Sequence, residues 1–115
     1  MSGFFGWVLA AAVALVVLVG LSRRGAGASE EARRWLDEGA TLLDVRTEAE
    51  FSRGHPDGAL NIPVQDLEAR VGELDADRPV VVYCASGNRS RRAADLLSAR
   101  GFERVLNAGP MSAVQ

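Results

Sequence analysis

The sequence has only one cysteine, Cys84, and only one histidine, His55, in 115 residues. A lone cysteine cannot form an intramolecular disulfide, and one cysteine with one histidine cannot supply the ligand spacing of a zinc site. The sequence therefore predicts no bound metal. It leaves two interpretations for Cys84, which is either a small buried apolar side chain or a nucleophile.

Lysine is absent, and all 13 basic residues are arginines. They are interleaved with 15 acidic residues, so the formal net charge is −2 and no block of positive charge is present. This pattern excludes a nucleic-acid-binding surface, and we expect no nucleic-acid partner. The length allows a single domain once any targeting or membrane segment is set aside.

Charged residues are also missing from Phe4 to Leu21, a run of 18 residues that is almost entirely apolar. A helix of this length measures roughly 27 Å at about 1.5 Å per residue, which is enough to span a bilayer. Arg23 and Arg24 follow the run, and the positive-inside rule then places the C-terminal side in the cytoplasm. We predict one transmembrane helix over residues 4–21, in the inner membrane, with the domain facing the cytoplasm.

A cleaved signal peptide is the alternative for this segment. Residues 26–28 have the small side chains that a signal peptidase requires, and cleavage near Ala28 would leave the domain in the periplasm. The positively charged leader of a signal peptide is missing before the apolar run, so the sequence favours an anchor. Residues 22–28 are rich in glycine and alanine and indicate a flexible linker to a domain at 29–115.

Short β-branched runs alternate with amphipathic segments in the remaining chain. Ser29 is a predicted N-cap for a helix from Glu30 to Glu38, and Thr47 with Glu50 fits a capping box. The predicted strands are 41–45, 59–62, 80–84 and 105–106, and the other predicted helices start after 47, cover 67–74 and run from 89 to a glycine cap at 101.

This alternation predicts an α/β fold with an open parallel sheet flanked by helices. The run Val80–Cys84 is typical of a central strand covered on both faces. Ligands of such sheets bind beyond the carboxyl ends of the strands, which is where Cys84 is expected. A glycine-containing loop follows Cys84 and leads into a helix, so its N–H groups, the helix dipole and the nearby Arg89 should lower the pKa of the thiol.

The string CASGNRS at residues 84–90 is similar to the active-site loop of the rhodanese family. A second motif of that family, in its usual order and spacing, is matched by Asp44-Val45-Arg46, Glu50-Phe51, Gly54-His55, Gly58-Ala59 and Asn61-Ile62-Pro63. The resemblance runs from about Ser29 to Met111. It implies a rhodanese-like open parallel sheet flanked by helices, preceded here by one transmembrane helix.

The resemblance also implies sulfur transfer by double displacement. Cys84 would attack the sulfane sulfur of a donor such as thiosulfate or a persulfide, carry it as a persulfide and pass it to a thiol or cyanide acceptor. Arg89 would hold the anion, and the implied substrate-binding residues, which act through their backbone amides, are Ala85, Ser86, Gly87, Asn88 and Ser90. No cofactor is implied. The implied partners are a small-molecule sulfur donor and a thiol acceptor or an acceptor protein.

Three other motif residues are interpreted as structural. Asp44 and Arg46 lie at the end of the first predicted strand, where charged side chains usually find partners nearby. We expect them to form hydrogen bonds and an ion pair with Glu50. His55 suggests a catalytic base for the cysteine. Its place in the resembling family is structural, so we do not assign it that role.

Two other functions stay open. Phosphatases and arsenate reductases of this fold usually have a loop one residue longer, with the closing arginine sixth after the cysteine, whereas Arg89 is fifth. A binding or sulfur-carrier module without turnover is the other alternative, although such modules often lack the cysteine that is retained here. Two departures from the family are expected: the sheet lacks an edge strand before the first helix, and no final helix follows Pro110.

Overall fold

The computed structural model describes residues 27–115, in which helices pack on both faces of one parallel sheet. The strands are β1 Thr41–Asp44, β2 Leu60–Asn61, β3 Val80–Cys84 and β4 Val105–Pro110. The helices are α1 Gly27–Asp37, α2 Glu48–Arg53, α3 Leu67–Arg70 and α4 Asn88–Ala99. The strands lie in the order β2-β1-β3-β4, and every neighbouring pair is parallel. The predicted α/β class with a flanked parallel sheet is confirmed.

Strand β3 is the central element of the fold, as its β-branched sequence predicts. All five of its residues are buried, and it pairs with β1 on one side and β4 on the other. Successive side chains of a strand point to opposite faces. The layer against α4 includes Leu43, Val80, Val82, Cys84, Ala93 and Leu97, and the layer against α1 includes Ala32, Leu42, Val81 and Tyr83. Cys84 therefore lies on the α4 side of the sheet.

The first helix begins earlier than predicted. The sequence places Gly27 and Ala28 in the linker and Ser29 at the N-cap, whereas all three lie within α1. Alanine is the best helix former, and Glu30 in the first turn interacts favourably with the helix dipole. These preferences outweigh the capping tendency of one serine.

The segment after α2 is less regular than predicted. The strand expected at 59–62 is reduced to Leu60–Asn61, although Ile62 N–H still donates to the Asp44 carbonyl at 3.0 Å. The helix expected at 67–74 is one α-helical turn between 3-10 turns at Val64–Asp66 and Val71–Glu73. A glycine within this stretch lowers its helix propensity.

The last strand is longer than the predicted 105–106 and reaches Pro110. Its register with β3 shifts, because Val82 pairs with Asn107 and Tyr83 with Gly109, which leaves Ala108 as an extra residue. Such a bulge lets a strand contain residues with low strand propensity. Within residues 27–115 the sheet has four strands, and only a 3-10 turn at Met111–Ala113 follows the last of them.

The predicted transmembrane helix at 4–21 and most of the predicted linker lie outside the described residues. Among residues 27–115, no helix combines the length and the apolar character that crossing a membrane requires.

Candidate active site

The carboxyl edge of the sheet brings together the end of β1, the end of β3 and the start of α4. Asp44 and Cys84 are the last residues of the two inner strands, and both are fully buried. Parallel strands end at the same edge, so residues 40 positions apart in sequence meet there. The two motifs that the sequence analysis singled out thus lie side by side at one edge of the sheet.

The Cys84 sulfur lies inside the loop that leads into α4. Backbone N–H groups of Gly87 and Ser90 donate to Sγ at 2.9 Å and 3.4 Å. As a thiol, Cys84 donates to Ser90 Oγ at 3.4 Å, and that hydroxyl donates to the Gly87 carbonyl at 3.0 Å. When the cysteine ionises, the Ser90 hydroxyl can turn its single proton toward sulfur. The N-cap residue Gly87 has no side chain that could accept from the first N–H groups of α4. The Cys84 sulfur takes over this role by accepting from the Ser90 N–H.

Gly87 permits this geometry. It has a φ of +103°, in the left-handed region that residues with a side chain rarely adopt, and it lies next to Gly109. A Cβ at Gly87 would lie 3.6 Å from the Gly109 Cα, so space is available and the backbone conformation is what requires glycine. This turn aims the Gly87 N–H at the Cys84 sulfur.

The loop lowers the pKa of Cys84. Burial alone raises the pKa of the thiol, because it disfavours the charged form. Hydrogen bonds from the Ser90 hydroxyl and from the backbone N–H groups of Ser90, Gly87 and Ser86 lower it by more, so the pKa lies below the ordinary value of a thiol. The loop therefore increases the fraction of thiolate, the nucleophilic form, above that of an unperturbed thiol.

Replacing Ser90 by alanine should weaken this stabilisation. The Ser90→Ala change removes the hydroxyl that faces Sγ and keeps the backbone N–H, so the pKa of Cys84 should rise. One long hydrogen bond to a charged acceptor contributes about 1 kcal/mol, which corresponds to an alkylation rate about fivefold lower below the pKa. The pH dependence of iodoacetamide alkylation measures both effects. Ser98→Ala, an exposed site on the same helix, is the control; a Ser90→Ala midpoint at or below that of the native chain would contradict the assignment.

The Arg89 guanidinium is paired with Glu50 of α2. Nη1 and Nη2 donate to the two carboxylate oxygens of Glu50 at 2.7 Å and 3.0 Å. Glu50 also closes the predicted capping box with Thr47, which is confirmed. Hydrogen bonds from Arg89 and then from Thr47 lower the pKa of Glu50 to about 2, so the pair stays ionised at any pH above that value.

Asp44 and Arg46 form a second, buried ion pair. Arg46 Nε and Nη2 donate to the Asp44 carboxylate at 3.0 Å and 2.7 Å, and the Tyr83 hydroxyl donates to it at 2.5 Å. Burial and then the hydrogen bond to Asp44 raise the pKa of Tyr83, which keeps its hydroxyl protonated as a donor. The predicted local hydrogen bonds are present, but the predicted pair with Glu50 is wrong, because Glu50 binds Arg89.

His55 is occupied away from the cysteine. Its Nδ1 lies 2.7 Å from the Phe51 carbonyl, which can only accept, so Nδ1 carries the proton. The imidazole also stacks on the Phe51 ring with centroids 3.5 Å apart. These contacts fit the structural role that the sequence analysis assigned to it.

The remaining loop residues form the rim of the site. Ala85, Ser86 and Asn88 have exposed side chains, so any contact they make with a donor is at the surface or through the backbone. The substrate-binding role of the loop stays a prediction. Sequence reasoning missed Tyr83 as a member of the buried ion-pair cluster; its register opposite Asp44 at the ends of neighbouring strands is the signal that could have found it.

Comparison with known proteins identifies the family. A family model described as the rhodanese-like domain matches residues 28–109. A sulfurtransferase of Allochromatium vinosum is 43% identical over 70 residues, which cover 61% of this chain and 65% of that protein. Thiosulfate sulfurtransferase GlpE of Shewanella oneidensis is 41% identical over 64 residues, covering 56% of this chain and 63% of that protein. The chain belongs to the rhodanese-like domain family.

A solved structure agrees with this assignment. The structure of a rhodanese with anions from E. coli superimposes with a TM-score of 0.62 at 32% identity, covering 66% of this chain and 92% of that one. The matched part spans between 40% and 66% of the lengths of the curated relatives.

Proposed function

We propose that this chain is a sulfurtransferase that moves a sulfane sulfur from thiosulfate or a persulfide to a thiol or cyanide acceptor through a Cys84 persulfide. The observation that carries the proposal is the only cysteine of the chain, buried at the carboxyl edge of the sheet with Gly87 and Ser90 N–H groups donating to its sulfur. Family membership and relatives named as sulfurtransferases support the same reaction.

The first half-reaction is attack by the Cys84 thiolate on the outer sulfur of thiosulfate. A bond forms between Sγ and that sulfur, the sulfur–sulfur bond of thiosulfate breaks, and sulfite leaves with the electron pair. The loop N–H groups and the N-terminus of α4 stabilise the anion before and after transfer. Arg89 adds a positive charge at the loop, but its ion pair with Glu50 limits how strongly it attracts the anion.

The second half-reaction removes the sulfur. A thiolate or cyanide attacks the outer sulfur of the Cys84 persulfide, and the Cys84 thiolate leaves with the electron pair. The lowered pKa of Cys84 helps both steps. It increases the fraction of thiolate available for the first attack, and it makes the Cys84 thiolate a better leaving group in the second. No proton has to be transferred in either step with anionic reactants, so a catalytic base is not needed and His55 has no part.

Phosphatase or arsenate reductase activity is the less favoured alternative. Helix α4 begins at Asn88, so only residues 85–87 lie between Cys84 and the helix. That turn places donors around a single sulfur atom. Enzymes of this fold with those activities usually have the closing arginine sixth after the cysteine, whereas Arg89 is fifth.

Sulfur loading tests the proposal directly. The purified chain is incubated with thiosulfate, freed of it, and measured by intact mass before and after cyanide is added. We expect a mass increase of one sulfur atom, then its loss with production of thiocyanate. A chain that takes up sulfur but releases none to cyanide or thiols would be a sulfur carrier, and one that takes up none would contradict both readings.

The apolar run at 4–21 supports a membrane anchor with the domain in the cytoplasm as part of the proposal. C-terminal fusions to alkaline phosphatase and to green fluorescent protein, expressed in a bacterium, distinguish the two sides. We expect fluorescence without phosphatase activity, in the membrane fraction. Phosphatase activity with a chain shortened near Ala28 would establish the signal-peptide alternative instead.

A further inference from the structure

Two ion pairs flank Cys84 at the carboxyl edge of the sheet. Arg46, with its side chain only 8% exposed, is paired with Asp44, and Arg89 is paired with Glu50. Each pair has one positive and one negative charge, so neither adds net charge to the site. The N–H groups of the loop and the dipole of α4 attract an anion independently of these two pairs.

The two ion pairs differ in how far they are exposed to solvent. Asp44 and Arg46 are buried together, and the Tyr83 hydroxyl fills a further position on the carboxylate. Arg89 and Glu50 have side chains 33% and 25% exposed, so this pair is at the surface of the site, where a donor would arrive. Arg89 directly precedes Ser90, whose N–H contacts the Cys84 sulfur.

Glu50 is held firmly enough to keep Arg89 in place. Its Oε1 accepts from Thr47 N–H and from the Thr47 hydroxyl, both at 3.1 Å, in addition to Arg89 Nη1. Both Nη atoms of Arg89 bind Glu50, so an anionic donor has to compete with a fixed carboxylate for that guanidinium. The hydrogen bonds to Glu50, and to a lesser extent the Cys84 charge, raise the pKa of Arg89, so both charges of the pair persist.

We infer that Glu50 sets the charge preference of the site: by holding Arg89 it withholds a free cation, so that donors with a single negative charge are favoured over doubly charged thiosulfate. Glu50 acts through Arg89 and is a positioning residue. The inference rests on the proposed function and ranks its donors: monoanions, such as persulfides and organic thiosulfonates, are used in preference to thiosulfate.

Two donors of matched chemistry isolate the effect of charge. Thiosulfate carries two negative charges and loses sulfite, whereas methanethiosulfonate carries one and loses methanesulfinate. In both reactions the Cys84 thiolate bonds to the terminal sulfur, the sulfur–sulfur bond breaks, and the electron pair leaves with the oxidised sulfur, as sulfite from thiosulfate or as methanesulfinate from methanethiosulfonate. The ratio of kcat/KM for the two donors therefore measures charge preference.

Glu50→Gln in the full chain should raise the thiosulfate to methanethiosulfonate ratio about three- to tenfold, mainly through KM, because Arg89 is left with an unbalanced charge at a partly exposed site. Glutamine suits the same capping position as glutamate, so α2 is retained. The effect should shrink as ionic strength rises. The same variant should lower the pH midpoint of Cys84 alkylation.

Charge balance gives the decisive comparison. Arg89→Gln alone leaves Glu50 unbalanced and should lower the ratio, whereas Glu50→Gln combined with Arg89→Gln is neutral again and should return it toward the native value. Glu73→Gln, which unbalances the exposed Arg70 pair, should leave the ratio unchanged.

The outcomes separate the two proposals. If neither donor loads sulfur onto Cys84, the proposed function fails and the inference fails with it. If both donors load but the ratio is equal in the native chain and all three variants at the pair, the function stands and the charge role of Glu50 is refuted. A uniform loss of activity toward both donors would mean that Glu50 only holds the loop, which also refutes it.

Discussion

Cys84→Ser should abolish sulfur loading and thiocyanate production, with activity lowered by at least a factor on the order of a thousand, as expected when the nucleophile of an enzyme is removed. The chain has no other cysteine that could take up sulfur. A serine hydroxyl at this position has the same hydrogen-bond donors around it, but its pKa is far above that of a thiol and it does not form a stable bond to sulfane sulfur. Intact mass after incubation with thiosulfate is the measurement.

The controls separate chemistry from folding. Serine is close to cysteine in size, so the circular dichroism spectrum of Cys84→Ser should match that of the native chain. Ser98→Ala, at an exposed position of α4, should load sulfur normally. Native chain alkylated at Cys84 by iodoacetamide should load none. A sulfur adduct on Cys84→Ser would show that the sulfur binds elsewhere and would remove the basis of the persulfide mechanism.

The position of Cys84 could be predicted because several local patterns agree. A continuous β-branched run indicates a buried strand, the glycine after it indicates a turn, and a helix pattern follows, so the cysteine had to lie at a strand end beside a helix N-terminus. The capping box of Thr47 and Glu50 was predictable for the same reason, since both of its residues lie within one turn.

The ion-pair partners could not be predicted, because they depend on contacts between distant parts of the chain. Glu50 is four residues from Arg46, a spacing that favours a local pair, yet it binds Arg89, 39 residues away. The register of β1 with β3 places Asp44 opposite Tyr83, and this third partner fixes Arg46 on Asp44. Only the packing of α2 against the active-site loop decides which arginine reaches Glu50.

The second large effect concerns this buried cluster. Asp44→Ala should lower the free energy of unfolding by about 3–5 kcal/mol, the cost of leaving one member of a buried ion pair uncompensated. Asp44 has no exposed surface and accepts from Arg46 Nε, Arg46 Nη2 and the Tyr83 hydroxyl. The total free energy of unfolding of a small domain is about 5–15 kcal/mol, so the variant should be close to unfolding at 37 °C. Urea unfolding followed by circular dichroism measures the loss.

Tyr83→Phe provides a milder test of the same cluster. It removes one donor to the carboxylate and keeps the ring that packs against α1, so we expect a loss of about 1–2 kcal/mol. It remains measurable if Asp44→Ala does not fold. Glu73→Ala breaks an exposed ion pair and should leave the urea midpoint unchanged, because water replaces the lost contact. If Asp44→Ala is no less stable than Glu73→Ala, the cluster does not hold the strand ends together. The carboxyl edge that positions Cys84 would then depend on apolar packing alone.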